Sequence, residues 1–379
     1  MATREIVSTG NELSAIAAVD AGCEFFGGYP LTPSSEVMHV ISDLLPAKGG
    51  AAIQMEDEIG GICCVIGASM TGKRALTATS GPGVSLKAEN LGLAQMAETP
   101  LVLINVMRGG PSTGLPTRVS QGDVLQAKNP SHGDYKSITL CAGTLAECYT
   151  EVVRAFNLAD RFMQPVIVLT DETLGHMHGK AVLPTLEDVK EGIVPRKTFD
   201  GAPEDYFPYE CGPTEPAILN PMFKGYRYHY TGLHHDKNGF PTEEIETCRK
   251  LIQRLEDKVE AHKEEIELNE EFMMEDADIM IIAYGSVSLA AKEAIRHLRK
   301  DGIKAGLFRP ITLWPSPDKR IKHFTDKIKN VLCVELNIAQ YTAEVERVSG
   351  RIGEIEGLYK VNGRAISPYE IVSKVKEVF

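Results

Sequence analysis

Two arginines enclose a loop made almost entirely of glycine, proline and small polar residues. Arg108 directly follows an apolar run, and Arg118 ends the sequence Gly-Gly-Pro-Ser-Thr-Gly-Leu-Pro-Thr that separates the two. Guanidinium groups bind carboxylates through paired hydrogen bonds, so this loop predicts an anion-binding site. The alternative is a structural role in which Arg108 pairs with a carboxylate of the core, because an unpaired buried charge is costly.

A second segment with residues that could bind a ligand runs from Phe25 to Ser35. Its apolar start leads into a glycine pair, and Thr32 and Pro33 then suit the N-cap and first turn of a helix. Free backbone N–H groups and the helix dipole favour anions at such a helix start, and the Thr32 hydroxyl adds a directional donor. An ordinary capped turn remains the alternative.

Three acidic residues, Glu56-Asp57-Glu58, lie at the start of the next predicted helix. Acidic residues stabilise a helix N-terminus, which is the simpler interpretation. The sharper hypothesis is a carboxylate that hydrogen-bonds a ring nitrogen of a bound heterocycle. Further along, Thr79-Ser80-Gly81-Pro82-Gly83 either turns a strand into a helix or lets a ligand approach the backbone closely. Neither Gly-x-Gly-x-x-Gly nor a Gly-Lys-Ser/Thr loop is present in the sequence.

These candidate residues all follow predicted strands, in a region where short apolar runs alternate with helical patterns. The predicted strands are Cys23–Phe26, Ala52–Met55, Ala75–Thr79, Leu101–Val106, Ser137–Cys141 and Val166–Thr170. The predicted helices are Leu13–Ala21, Ser35–Leu45, Asp57–Met70, Leu86–Ala97 and Leu145–Arg161. This alternation predicts an α/β fold with a mostly parallel sheet and helices on both faces. Ligands of such sheets bind at the carboxyl ends of the strands, so the candidate residues should converge on one rim.

The second half of the chain divides into an irregular stretch and a smaller α/β unit. Residues 173–240 are rich in proline, glycine and aromatic residues without a clear period. An amphipathic helix is predicted over Pro241–Glu267, with its apolar side formed by Ile245, Leu251, Ile252, Leu255, Val259 and Ile266. Strand and helix patterns resume at Ile279. We therefore predict domains over 1–190 and 275–379, joined by an excursion and helical linker over 191–274.

Composition excludes several classes of protein. The 379 residues carry a formal charge of −12, which argues against nucleic acid as a main partner. No apolar run suggests a signal peptide or a membrane span. The eight cysteines form no Cys-x-x-Cys pair, so we expect reduced thiols in a cytoplasmic protein and no metal or iron–sulfur site on this chain.

The order of four motifs resembles the 2-oxoacid:ferredoxin oxidoreductases, and among them the alpha subunits that act on 2-oxoglutarate. The motifs are Tyr-Pro-Leu-Thr-Pro-Ser-Ser, Met-Glu-Asp-Glu, Thr-Ser-Gly-Pro-Gly and Met-Arg-Gly-Gly-Pro-Ser-Thr-Gly-Leu-Pro-Thr-Arg. The resemblance covers essentially the whole chain, including residues 223–229 and 309–317. It implies a thiamine diphosphate pyrimidine-binding domain followed by a smaller domain similar to the transketolase C-terminal domain.

The resemblance also implies roles for individual residues near the cofactor. Glu58 matches the glutamate that activates the aminopyrimidine, because a carboxylate on that ring favours the imino tautomer that accepts a proton. Tyr29 and Pro30 fall in the motif that contacts the cofactor.

Further matches concern the substrate. Thr32 and Arg108 match the residues that hold the substrate carboxylate. A second carboxylate on the substrate needs further cations, for which Arg118 and Lys136, together with Lys128, are weaker candidates.

A missing motif implies partner chains. Family members bind magnesium and the diphosphate through Gly-Asp-Gly, which this sequence lacks. The resemblance therefore implies a beta subunit with the diphosphate-binding domain, magnesium and an iron–sulfur cluster, together with gamma and ferredoxin-like delta subunits. The implied reaction is oxidative decarboxylation of 2-oxoglutarate with coenzyme A to succinyl-CoA, in either direction, with electrons passing to ferredoxin. The same chemistry on pyruvate or branched-chain 2-oxoacids, and a non-catalytic assembly subunit, are the alternatives.

Overall fold

The computed structural model describes residues 3–379. Its strands are β1 (Thr3–Thr9), β2 (Cys23–Gly28), β3 (Ala51–Gln54), β4 (Arg74–Thr79), β5 (Leu101–Met107), β6 (Ile138–Cys141), β7 (Pro165–Asp171), β8 (His178–Pro184), β9 (Asn269–Phe272), β10 (Ile279–Ile282), β11 (Ala305–Pro310), β12 (Thr312–Trp314), β13 (Asn330–Glu335) and β14 (Glu356–Tyr359). Its helices are α1 (Gly10–Asp20), α2 (Ser35–Leu44), α3 (Glu58–Met70), α4 (Gly81–Met96), α5 (Val124–Lys128), α6 (Leu145–Phe162), α7 (Glu172–His176), α8 (Leu186–Glu191), α9 (Ile245–Glu260), α10 (Lys263–Ile266), α11 (Val287–Lys300), α12 (Asp318–Thr325), α13 (Thr342–Ser349) and α14 (Pro368–Val378). None of these helices is long and apolar enough to cross a membrane.

The predicted parallel sheet is present and has the order β12-β6-β7-β5-β4-β2-β3. All neighbouring pairs are parallel except β12 with β6. Alternate residues of the fully buried strand β5 enter two different apolar clusters, one with α1, α2 and α6 and the other with α3 and α4. Helices therefore cover both faces, which explains the continuous apolar runs of the central strands.

A second sheet has the order β14-β13-β10-β11-β9, with only β9 antiparallel. The helices α11 and α14 pack on one face, while the other face joins the apolar cluster that also contains α3 and α4. The short strand β12, which follows β11 in the chain, crosses back and pairs with β6 of the first sheet. The two α/β units thus share both a core and a strand.

The irregular excursion is held to the first unit by a buried cluster of charges. Arg254 and Lys258 of α9 bind the Glu98 carboxylate at N–O distances of 2.5 and 3.0 Å. The amphipathic helix predicted over Pro241–Glu267 is shorter in the structure: α9 covers Ile245–Glu260, with Leu251, Leu255 and Val259 buried, and a break separates it from the short α10. Its predicted apolar residue Ile245 is 83% exposed instead, because it is the first residue of α9 and projects beyond the surface that the helix covers.

Candidate active site

Glycines bring the helix α3 close to the end of β2. A Cβ atom at Gly61 would lie 3.1 Å from the Cα atom of Gly28, and one at Gly27 would lie 2.8 Å from the Gly61 carbonyl oxygen. Only residues without side chains allow this approach. It fixes the first turn of α3 at the carboxyl edge of the sheet, next to the loops that follow β2, β4 and β5.

Glu58 is the first residue of α3 and is only 5% exposed. Asp57 caps the helix by accepting a hydrogen bond of 2.8 Å from the Gly60 N–H. The Glu58 carboxylate accepts no hydrogen bond from any described residue, and its oxygens are not among the buried polar atoms that lack a partner, so they keep access to the rim. The carboxylate is therefore free to bind a ligand. An acidic residue that served only to stabilise the start of the helix would not need to lie at this rim.

The Gly-Pro-Gly segment starts α4 and brings it over Glu58. The helix begins at Gly81, five residues before the predicted start at Leu86, because proline fits the first turn of a helix. A Cβ atom at Gly83 would collide with Thr79 Oγ1 and lie 3.0 Å from Glu58 Oε1. Of the two interpretations of this segment, the strand-to-helix turn is the one observed, and the turn also lies against the candidate carboxylate.

Arg108 and the Thr32 loop meet, as the sequence predicted. The Arg108 side chain is buried, with 5% of the residue exposed, and its Nη1 donates a hydrogen bond of 2.5 Å to the Thr32 carbonyl oxygen. No carboxylate of residues 3–379 lies within the 4.0 Å of an ion pair, and Nε is buried without an acceptor. Burial lowers the pKa of Arg108, while the charges of Asp123 and Glu58 oppose that effect. Pairing with a core carboxylate, the structural alternative for Arg108, is therefore absent from the described chain.

The prediction that Thr32 caps a helix is wrong. The N-cap of α2 is Ser34, and the helix begins at Ser35. Ser34 donates from both its backbone N–H and its hydroxyl to the Leu31 carbonyl oxygen, at 2.8 and 2.7 Å. This tight turn uses up the residues that would otherwise form the first helical turn. Thr32 is left exposed at the rim.

A cleft of about 840 Å³ opens beside Arg108. One wall is the start of α4 and the loop that follows Arg108, and the other wall comes from the second α/β unit through residues 337–340 and 361–363. Gln121 connects the two walls through hydrogen bonds to the second α/β unit. It donates to the Tyr284 carbonyl oxygen at 2.9 Å, and its side-chain oxygen accepts from the Leu336 N–H at 3.0 Å.

Asp123 lines this cleft and was not predicted as a site residue. Its carboxylate accepts a hydrogen bond of 3.1 Å from Asn105 and faces Gly81, where a Cβ atom would lie 2.9 Å from Oδ1. Burial raises the pKa of Asp123 to about 6, against the opposing effects of Asn105 and Arg108. The only signal in the sequence is its place before a short helix, which does not distinguish it from a helix cap.

The remaining predicted residues on the two loops lie near the rim. Tyr29 is 37% exposed and Pro30 is partly buried, both on the loop that leads to Thr32. Arg118 is exposed where the loop returns, and its carbonyl oxygen accepts a 3.0 Å hydrogen bond from the Gly109 N–H.

The structure does not bring the two predicted lysines to this rim. Lys128 forms an ion pair of 2.9 Å with Glu344, and Lys136 forms one of 2.5 Å with Glu260. Both lysines line a separate cavity of about 330 Å³. Each charge is therefore already compensated at another place on the molecule.

Two family models match the chain. Residues 16–254 match "Pyruvate flavodoxin/ferredoxin oxidoreductase, thiamine diP-bdg", a thiamine diphosphate-binding domain. Residues 277–371 match "Pyruvate:ferredoxin oxidoreductase core domain II".

Full-length relatives agree with these matches. The chain is 42% identical over 374 residues to the 2-oxoglutarate synthase subunit KorA of Methanothermobacter marburgensis, covering 98% of this chain and 99% of the relative. It is also 42% identical to KorA of Methanocaldococcus jannaschii, covering 96% of each chain. The ketoisovalerate oxidoreductase subunit VorB of Methanothermobacter marburgensis is 33% identical over 381 residues, covering 100% of this chain and 98% of the relative.

Solved structures confirm the predicted fold. The 2-oxoglutarate:ferredoxin oxidoreductase from Magnetococcus marinus, with 2-oxoglutarate, coenzyme A and succinyl-CoA bound, superposes with a TM-score of 0.92 at 34% identity over 98% of this chain. This chain spans 65% of that longer chain. A split-gene transketolase shares only the fold, with a TM-score of 0.54 at 13% identity over 97% of both chains. The chain therefore belongs to the pyruvate flavodoxin/ferredoxin oxidoreductase family, as its four motifs predicted.

Proposed function

We propose that this chain is the alpha subunit of a thiamine diphosphate-dependent 2-oxoglutarate:ferredoxin oxidoreductase. The reaction joins 2-oxoglutarate and coenzyme A to give succinyl-CoA and CO₂, reversibly, with two electrons passing to ferredoxin. The observation that carries the proposal is the pair formed by Glu58 and Arg108. A buried carboxylate and a buried guanidinium lie on one rim, and neither forms an ion pair with the described chain. Relatives that are 42% identical over nearly the whole chain are named 2-oxoglutarate synthase subunits.

The residues around Glu58 fit the aminopyrimidine of thiamine diphosphate. A flat heterocycle with a ring nitrogen needs a carboxylate without another partner and a wall without side chains. Glu58 supplies the first, and Gly83, where a Cβ atom would lie 3.0 Å from Glu58 Oε1, supplies the second.

Each residue of this rim then has a distinct task. The bound cofactor supplies the electron sink for decarboxylation. Glu58 holds the proton at the ring nitrogen through a charge-assisted hydrogen bond. Arg108, anchored on the Thr32 carbonyl oxygen, binds the carboxylate next to the 2-oxo group, and the exposed Thr32 hydroxyl donates to the same carboxylate. Burial of Arg108 strengthens its attraction for an anion, because water screens it less.

The substrate's second carboxylate needs another cation. Arg118 is free to reach over the cleft mouth from the exposed end of its loop, and it remains our candidate on this chain. Lys136 is less suitable because Glu260 already neutralises it.

We further propose that partner chains complete the enzyme. The sequence lacks Gly-Asp-Gly, and no group of three or more His, Cys, Asp or Glu side chains in residues 3–379 could hold a metal ion. Magnesium, the diphosphate contacts and an iron–sulfur cluster are therefore assigned to a beta subunit, with gamma and ferredoxin-like delta subunits in the complex. The free thiols of the chain agree with a cytoplasmic location.

The experiment is steady-state turnover of the co-purified complex on a panel of 2-oxoacids, with coenzyme A and ferredoxin. The proposal expects the highest kcat/KM on 2-oxoglutarate, and lower values on pyruvate and 2-oxoisovalerate. The matched control is the same complex with Glu58→Gln, which keeps the side-chain shape and loses the charge. A preference for pyruvate or 2-oxoisovalerate would contradict the substrate, and full activity of the control would contradict the site.

A further inference from the structure

A lysine lies buried directly beneath the candidate catalytic glutamate. We infer that Lys87 is a positioning residue for Glu58, which holds the first turn of α3 through a hydrogen bond and so fixes where the Glu58 carboxylate lies on the rim. This inference rests on the proposed role of Glu58. It concerns a residue that touches neither the substrate nor the cleft.

The contact that carries the inference joins two helices. Lys87 lies on α4 and is fully buried, and its Nζ donates a hydrogen bond of 2.9 Å to the Glu58 carbonyl oxygen. A Cβ atom at Gly61 would lie 3.4 Å from this Nζ, so the glycine leaves room for the ammonium group. The bond ties α4 to the residue whose carboxylate faces the rim. A shift of that residue would move the carboxylate relative to a bound ring.

Stability alone does not explain a lysine at this position. The ammonium group has no carboxylate within 4.0 Å among the described residues, and a buried charge without an ion pair destabilises the folded state. Burial lowers the pKa of Lys87 to about 8, while the carboxylates of Glu58 and Asp57, at the start of α3, oppose that effect. A methionine would fill the same volume without the desolvation cost. The buried lysine is therefore best explained by the contact that it makes with Glu58.

A second buried lysine provides the contrast. Lys258 is also fully buried, but the Glu98 carboxylate lies 3.0 Å away and also binds Arg254. Removing Lys258 leaves a buried carboxylate with fewer partners, which destabilises the fold. Removing Lys87 leaves one carbonyl oxygen that keeps its place in the α3 helix. The two lysines should therefore respond to the same substitution with opposite changes in melting temperature.

The test compares Lys87→Met with Lys258→Met, in the full chain for stability and in the co-purified complex for kinetics. For Lys87→Met we expect a higher melting temperature at pH 7, because a buried charge is removed, and a kcat that falls about ten- to a hundredfold, the range for a misplaced catalytic group. KM for 2-oxoglutarate should stay unchanged, because Lys87 does not contact the substrate. For Lys258→Met we expect a lower melting temperature.

Each outcome decides the inference. A lower melting temperature for Lys87→Met would make the lysine a structural residue, and an unchanged kcat would exclude an effect on Glu58. If Lys87→Met does not fold, Lys87→Gln, whose uncharged side chain is one atom shorter and so weakens the contact with the carbonyl oxygen, must also lower kcat. A wild-type complex that fails to turn over 2-oxoglutarate would instead contradict the proposed function, so the two failures are distinguishable.

Discussion

Replacing Asp123 with asparagine should stabilise the protein, and only above the pH at which the carboxyl group ionises. Burial raises the pKa of Asp123 from its ordinary 3.8 to about 6 in the folded chain. At neutral pH the folded state therefore carries a charge that the unfolded state holds more easily. Asparagine has the same shape, cannot ionise, and can still accept the hydrogen bond from Asn105 through its amide oxygen.

The magnitude follows from the two pKa values. Their difference corresponds to about 3 kcal/mol at 25 °C. This is the largest increase in the free energy of unfolding that the substitution can give at pH 7 or above. The sign is opposite to that of a salt-bridged aspartate. As the pH falls from about 6 towards 3.8, the folded state takes up a proton before the unfolded state, so the wild type regains its stability and the advantage of the variant disappears.

Thermal unfolding of the full chain at pH 8 and pH 4 measures this difference. With an unfolding entropy of about 2.1 cal/mol/K per residue over 379 residues, about 3 kcal/mol raises the melting temperature by about 4 °C. The control is Asp43→Asn on α2, where the aspartate is exposed and the same substitution removes no buried charge. A shift of equal size at both pH values, or destabilisation at pH 8, would refute the reasoning from burial.

Three further predictions concern the site and its scaffold. Glu58→Gln should lower kcat about 10²–10⁴-fold while the complex still assembles, as turnover and gel filtration would show; more than about a tenth of the wild-type rate would argue against the role. Arg108→Lys should lower kcat/KM for 2-oxoglutarate about ten- to a hundredfold, because an ammonium group cannot form a paired contact with a carboxylate. Thr32→Val should lower it less, because valine keeps the backbone carbonyl oxygen that binds Arg108 and loses only the hydroxyl. Unchanged kinetics for both variants would contradict the anion site. Glu98→Gln should destabilise the chain by about 3–5 kcal/mol in denaturant unfolding, because two buried cations lose their partner, and a change below about 1 kcal/mol would contradict that account.

Local patterns predicted the strands β4 to β7 because each is a short run that is buried throughout, between helices on both faces. The strands β2 to β7 lie within a few residues of their predicted positions, and the loops after β2 and β5 meet as expected. Parallel sheets place successive strand ends on one edge, so convergence of Thr32, Glu58 and Arg108 on one rim follows from the fold alone.

Features that depend on distant contacts could not be predicted in this way. The strands β1 and β8 pair antiparallel across more than 160 positions of sequence, and β1 has only one fully buried residue. Lys87 and Asp123 look like ordinary residues of polar helix surfaces until the fold buries them beside Glu58 and Arg108. Their chemistry comes from burial, which no local pattern reports.

The strand β12 limits how the protein can be divided. Cutting the chain before residue 275 would remove β12 and leave the backbone groups of β6 (Ile138–Cys141) unpaired along one edge. An open, apolar edge invites pairing with another molecule, so the first unit expressed alone should aggregate. The cleft wall would also lose its counterpart around residues 337–340. The two units should therefore be expressed and engineered as one piece, although each resembles a separate domain.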